Sequence, residues 1–152
     1  MNVEIKAADM AGAVYIGEHL RKADDIELRA SQDNAPCVAV VRSYSAAQWC
    51  NIVHVDGVPS VIYGVTATNI EGIGSPWMLA TDDICKIGRK FLKGSRAEVE
   101  RMRESFPWLY NKVHCENHLS MRWLRWLGFE IFDDRVGNGG KFREFLMRPK
   151  NV

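Results

Sequence analysis

Hydrophobic and polar positions along this chain change period several times, and each change marks an element. Residues 3–7 alternate weakly and predict a strand. Asp9 opens a helical stretch to about Leu20, with Met10, Val14 and Leu20 partly in phase. Asp24 and Asp25 suit the start of a short second helix ending near Ala30, because acidic side chains favour a helix N-terminus. A turn is expected over Gln32 to Asn34, and Pro36 belongs in the first turn of a third helix that runs to about Ala46. Residues 49–55 alternate as a strand, Asp56-Gly57 is a hairpin signal, and residues 58–66 return. Pro59 fits the start of that strand better than its middle. Residues 67–75, with Gly72 and Gly74, predict a loop, and 76–81 form a short bounded apolar run, the pattern of a buried central strand.

Asp82 and Asp83 then open a helix with Ile84, Ile87, Phe91 and Leu92 in phase. Gly94 is expected to break it, Ser95 to cap a second helix over 96–106, and Glu98 to complete a capping box. Pro107 ends that helix, and 108–115 reads as a strand. The clearest unit follows. Asn117 is a good N-cap, since its amide oxygen can accept an early helical N–H. Leu119, Trp123, Trp126 and Leu127 recur at i, i+4, i+7 and i+8 and predict the core face, with His118, Arg122 and Arg125 on the polar side. Gly128 is placed where a left-handed residue stops a helix. Residues 129–133 and 141–147 pair across Gly137-Asn138-Gly139-Gly140. The order is βαααβββααβαββ, an α+β fold with a mixed central sheet flanked by helices. No repeat or linker interrupts it, so residues 1–152 are expected to form a single domain.

Composition narrows the function classes. A chain of 152 residues with 47% hydrophobic residues can bury a proper core. Twenty basic residues stand against 19 acidic ones, a net charge of +1, so no basic face for nucleic acid is expected. No apolar run reaches the length that spans a bilayer, so no membrane partner is expected either. Cys37, Cys50, Cys85 and Cys115 lack C-x-x-C spacing. They read as free, mostly buried thiols rather than a metal site, in a reducing compartment. The opening residues read as a strand rather than a secretory signal. The expected location is the cytoplasm of a bacterium or of a phage-infected cell.

An Asn after a strand, a small residue three on, and Gly-Phe eleven and twelve on are here Asn117, Ser120, Gly128 and Phe129. This spacing resembles the last helix of the GCN5-related N-acetyltransferase (GNAT) superfamily. The run from 76–81 through 109–111 to 122–124 is also similar to GNAT-like proteins of tailed phages. That group includes the internal-core (virion assembly) proteins of podophages. The resemblance covers roughly residues 36 to 148. It implies a GNAT-like (acyl-CoA N-acyltransferase) fold, acetyl-CoA as co-substrate, and a small-molecule or protein amine as acceptor. It also implies that the fourth and fifth strands splay apart around acetyl-CoA. Cofactor contacts would then fall on Leu79, Ala80, Thr81, Gly88, Arg89, Lys90, Asn117 and Ser120. The physics is consistent: splaying frees backbone groups that must find partners. A pantetheine amide can pair like an added strand, and a helix N-terminus suits pyrophosphate.

The chain departs from the superfamily pattern in two places. The phosphate loop, Gln/Arg-x-x-Gly-x-Gly/Ala, is here Cys85-Lys86-Ile87-Gly88-Arg89-Lys90, where only Gly88 matches. Asp82 and Asp83 carry the same sign as phosphate at the end of the helix that should attract it. Lys86, Arg89 and Lys90 read either as a phosphate clamp or as a solvated face. The Tyr expected seven residues after the Asn is Leu124, which has no proton to give. The catalytic candidates at the end of the fifth strand are His114, Cys115 and Glu116. His114 is a base by its ordinary pKa or a hydrogen-bonded structural imidazole. Cys115 is a covalent acyl acceptor or a small buried hydrophobe. Two functions follow. One is an acyl-CoA-dependent N-acetyltransferase acting on an unidentified amine. The other is a catalytically degenerate GNAT-fold phage protein that acts in virion assembly or binds virion proteins.

Overall fold

The computed structural model describes residues 1–31 and 34–151; Gln32, Asp33 and Val152, and with them most of the expected turn, lie outside the described residues. In chain order the elements are β1 (Val3–Ala7), α1 (Met10–Glu18), α2 (Lys22–Ser31), α3 (Pro36–Ala46), β2 (Trp49–Val55) and β3 (Val58–Ala67). They continue as β4 (Ile73–Ala80), α4 (Ile84–Ser105), β5 (Trp108–His114), α5 (His118–Leu127), β6 (Glu130–Val136) and β7 (Phe142–Met147). The strands make one seven-stranded sheet in the order β1-β2-β3-β4-β5-β7-β6. Every neighbouring pair is antiparallel except β4 and β5.

Alternation along the strands divides the core between the two faces. Val53, Val61, Tyr63, Val65, Leu109 and Val113 face α4 and α5. Ile52, Ile62 and Leu79 face α1 and α3, with Leu28 of α2. Asp56 and Gly57 both take positive φ, 50° and 80°, the two-residue turn that matches strand twist. Asn117 caps α5 by accepting the Ser120 N–H at 3.4 Å. Gly128 ends that helix in the left-handed region, and the Phe129 N–H reaches back to the Leu124 carbonyl at 3.0 Å.

Five local expectations are corrected. Residues 84–105 do form two helical pieces, but the pieces do not part at Gly94, which stays helical. A single interior glycine costs about 1 kcal/mol, less than is recovered by burying Ile87, Ser95, Val99 and Met102 along one face. The backbone breaks instead at Gly88, with φ 22° and ψ −106°. Ser95 is no cap; its hydroxyl donates to the Leu92 carbonyl at 2.6 Å. In α5 the buried residue is Met121, with Leu124 and Leu127 packed on the core, while Leu119 is 58% and Trp126 43% exposed. Arg96 covers the Trp126 ring at 3.8 Å and so allows it an outward position. β4 begins at Ile73 rather than at residue 76, so Gly74 and Ser75 join the ladder. Of the four thiols only Cys115 is buried, and Cys85 is exposed. No helix among the described residues is long and apolar enough to cross a membrane.

Candidate active site

β4 and β5 pair only at their beginnings, Ile73 with Trp108 and Gly74 with Leu109. Beyond that point they diverge. Pro76 stands where the pairing stops, and its missing N–H leaves one donor fewer to satisfy there. A cavity of about 740 Å³ runs through the gap, lined from both faces of the sheet.

The gap exposes backbone groups, and side chains meet four of those. On β4, the Ala80 N–H donates to Asp24 Oδ2 at 2.9 Å and its carbonyl accepts the Arg21 N–H at 2.9 Å. The Pro76 carbonyl accepts from Asn111 Nδ2 at 2.8 Å. On β5, the Lys112 N–H donates to Asn111 Oδ1 at 2.8 Å and the His114 N–H to Glu27 Oε1 at 2.7 Å. Thus α2 lies across the wide end of the gap with one carboxylate on each strand, and Asn111 spans it nearer the vertex. The Thr81 N–H points the other way, to the Ser60 carbonyl on β3. By the alternation of an antiparallel strand, Met78 turns its N–H and C=O into the gap with Pro76 and Ala80.

Arg21, Asp24 and Glu27 recur every third residue, which places Arg21 just before α2 and Asp24 and Glu27 on one side of it. Asp24 is 1% exposed and is held by both Arg21 Nε and Nη2, at 2.8 and 3.0 Å. Burial pushes its carboxyl above the ordinary value, and the Arg21 guanidinium opposes that shift. Arg21 Nη2 also donates to Ser120 Oγ at 3.2 Å, tying α2 to the start of α5. Glu27 lacks such a cation of its own. Burial pushes its carboxyl up to about 7; the His114 N–H resists this and the neighbouring Asp24 adds to it. A carboxyl poised there exchanges protons at neutral pH, which is what a general base requires.

The residues expected from the sequence divide between two places. Leu79 and Lys90 line the wedge cavity, and Ser120 joins them from α5. Asn117 is buried and engaged in its cap. Ala80 is buried at the wide end of the gap, and Thr81 accepts the Asp83 N–H on its hydroxyl at 3.2 Å. Gly88 forms the break that starts the long part of α4, with Arg89 and Lys90 exposed just beyond it. Lys86 is taken by Asp83 at 3.1 Å. His114, Cys115 and Glu116 line a separate cavity of about 500 Å³ with Ile26, Arg29, Arg135 and Lys141. His114 Nδ1 accepts the Glu116 N–H at 3.1 Å, and the ring meets Phe142 edge-on. Cys115 is buried, while Glu116 is exposed beside His118. Only the His114 backbone reaches the wedge network. Sequence reading missed Arg21, Glu27 and Asn111 and took Asp24 only as a helix-start acid. The available signal was the three-residue spacing of charged groups on α2.

No protein-family model matches the chain, and a search of curated proteins finds no relative. Solved structures do match over almost the whole chain. The acetyltransferase of GNAT family from Streptococcus pneumoniae is 15% identical, with 97% of this chain and 99% of that one covered and a TM-score of 0.64. This chain has the GNAT fold. The structure of yncA from Salmonella typhimurium, determined with its cofactor acetyl-CoA, aligns with a TM-score of 0.68 at 13% identity over 99% of this chain and 95% of that one. A Bacillus subtilis acetyltransferase in complex with CoA gives 0.63 at 8% identity over 97% and 99%. At such identities the likeness establishes the GNAT fold and leaves chemistry to the residues themselves.

Proposed function

We propose that this protein is an acetyl-CoA-dependent N-acetyltransferase in which Glu27 is the general base. The observation that carries this reading is the wedge: a through-going cavity with the Met78 backbone pair turned into it and a carboxyl poised near 7 at its wide end. The residues present suit acetyl-CoA. Met78 can pair with an amide of the pantetheine arm as a neighbouring strand would. The helix restarting at Gly88, with Arg89 and Lys90 beside it, suits the pyrophosphate.

In this reading the acceptor enters as an ammonium ion and Glu27 removes its proton. The amine nitrogen attacks the thioester carbonyl carbon and gives up its second proton to solvent, the carbon–sulfur bond breaks, and the electron pair leaves on the CoA sulfur. Leu124 offers the sulfur no proton. Ser120 accepts from Arg21 and keeps its own O–H to offer, with solvent resupplying the proton. His114 serves through its backbone N–H, which holds Glu27 in place.

A second reading, a GNAT-fold phage protein acting in virion assembly without catalysis, is supported by Leu124 and by Asn111. The Asn111 amide already occupies backbone groups on both strands of the wedge. Calorimetric titration with acetyl-CoA separates the two. Micromolar binding, followed by turnover of an amine that falls about 100-fold or more in Glu27→Gln, is expected for the enzyme. No binding at millimolar acetyl-CoA overturns it and leaves the assembly reading.

A further inference from the structure

The cavity carries charges of opposite sign at two depths on the α1–α3 face of the sheet. Glu27 lies deep, on the His114 N–H. Asp24 beside it is matched by Arg21. At the rim stand Arg42 of α3 and Lys112 of β5, both exposed and both lining the cavity. Neither forms an ion pair among the described residues. Glu144 sits opposite Lys112 on the ladder without forming an ion pair with it, and its carboxylate accepts the Tyr110 hydroxyl. Ser31 and Ser43 also line the cavity.

These two cations are placed away from any phosphate that Gly88 would hold. Leu109 and Val113 of β5 pack in the core under α4 and α5. Lys112 alternates with them and so projects from the opposite face, the one covered by α1–α3. Arg89 and Lys90 stand just beyond the Gly88 break in α4, on the other side of the sheet. The wedge therefore has one basic edge on each face, with Glu27 between them. A neutral-tailed amine or a polyamine would approach two cations that form no ion pair, Arg42 and Lys112, on the acceptor face. An amine that also carries an anion meets complementary charge at both ends.

We propose that the acceptor is a small amine bearing an anionic group, a carboxylate or a phosphate, with its amine at Glu27 and its anion at Arg42 and Lys112. This rests on the acetyltransferase reading and deepens it. Arg42 offers the forked donors that match either oxyanion, and Lys112 adds a point charge.

The test is acetyl transfer from acetyl-CoA to matched pairs of amines: amino acids against their amides, and ethanolamine phosphate against ethanolamine. The anionic member of at least one pair is expected to show kcat/KM higher by roughly tenfold or more, the worth of one charge-assisted hydrogen bond. The pair that responds distinguishes carboxylate from phosphate. In the double variant Arg42→Glu, Lys112→Glu the preference should vanish or invert, while calorimetric affinity for acetyl-CoA stays as in the parent. Equal rates within every pair, an unchanged ratio in the double variant, or no turnover of any member while acetyl-CoA binds would each overturn the proposal. Failure to bind acetyl-CoA is the separate result that removes the acetyltransferase reading itself.

Discussion

The two sides of β4 solve one problem in opposite ways. Toward β3 the strand is paired along seven residues, from Val61 with Ala80 to Ala67 with Gly74. Backbone meets backbone there, and the side chains are free to pack: Val61, Ile62 and Val65 are fully buried. Toward β5 the pairing lasts two residues, and beyond it Asp24, Glu27 and Asn111 take over as partners. The ladder consumes its polar groups and makes a core. The wedge has to import polar side chains, and two of those are carboxylates pushed up by burial. A gap in a sheet thus becomes a chemically active place because its unpaired backbone recruits ionisable groups into low dielectric.

This contrast can be tested by removing partners from each side. Asp24→Ala is expected to have the largest effect, about 3–5 kcal/mol of stability, because it strands a nearly buried Arg21 and the Ala80 N–H together. A denaturant midpoint near that of the parent would show that the wedge tolerates the loss of its polar partners. On the ladder side, Ile62→Ala should cost about 2–5 kcal/mol through lost packing alone. Its loss should be the same across pH, whereas that of Asp24→Ala should vary.

The Glu27 effect is smaller and has a sign. Its carboxyl titrates at about 7 in the fold against an ordinary value of 4.5. Between those values the folded chain holds a proton that the unfolded chain has released, so its contribution to stability falls as pH rises. Asp24, shifted in the same direction, adds to the slope while Arg21 opposes it. Unfolding midpoints measured between these two pH values should therefore decline less steeply in Glu27→Gln than in the parent. Parallel curves would mean that Glu27 titrates normally. The smallest change is expected for Asn117→Ala, about 1 kcal/mol from the lost cap, with the sheet ladders intact. An unchanged midpoint would show that the cap contributes nothing net.

The chain's own residues made much of this legible. α3 runs over the residues expected, and the Asp56-Gly57 turn and the Asn117 and Gly128 caps hold as local chemistry requires. Each is set by a few adjacent residues, through positive φ, a fixed proline or a short side chain beside free N–H groups. The break was misplaced, at Gly94 instead of Gly88, because local propensity is small beside the packing of the helical piece over 89–105 that contains Gly94. Leu119 and Trp126 were misassigned because helical spacing defines a stripe without saying which edge of it meets the core.

What the sequence determined alone, then, is the order of elements, most of their ends, the alternation that gives the sheet two apolar faces, and the likeness of residues 117–129 to a GNAT helix. Tertiary structure decided the rest. It parted β4 from β5 after two pairs, laid α2 across the opening, and so brought Asp24 and Glu27 to the backbones of strands more than fifty and eighty residues away. It also took the side chains of His114 and Cys115 into a different cavity. The physical reason is range. Turns, caps and strand alternation act between neighbours in sequence, whereas the proton affinity of a carboxyl depends on burial and on partners supplied by distant segments.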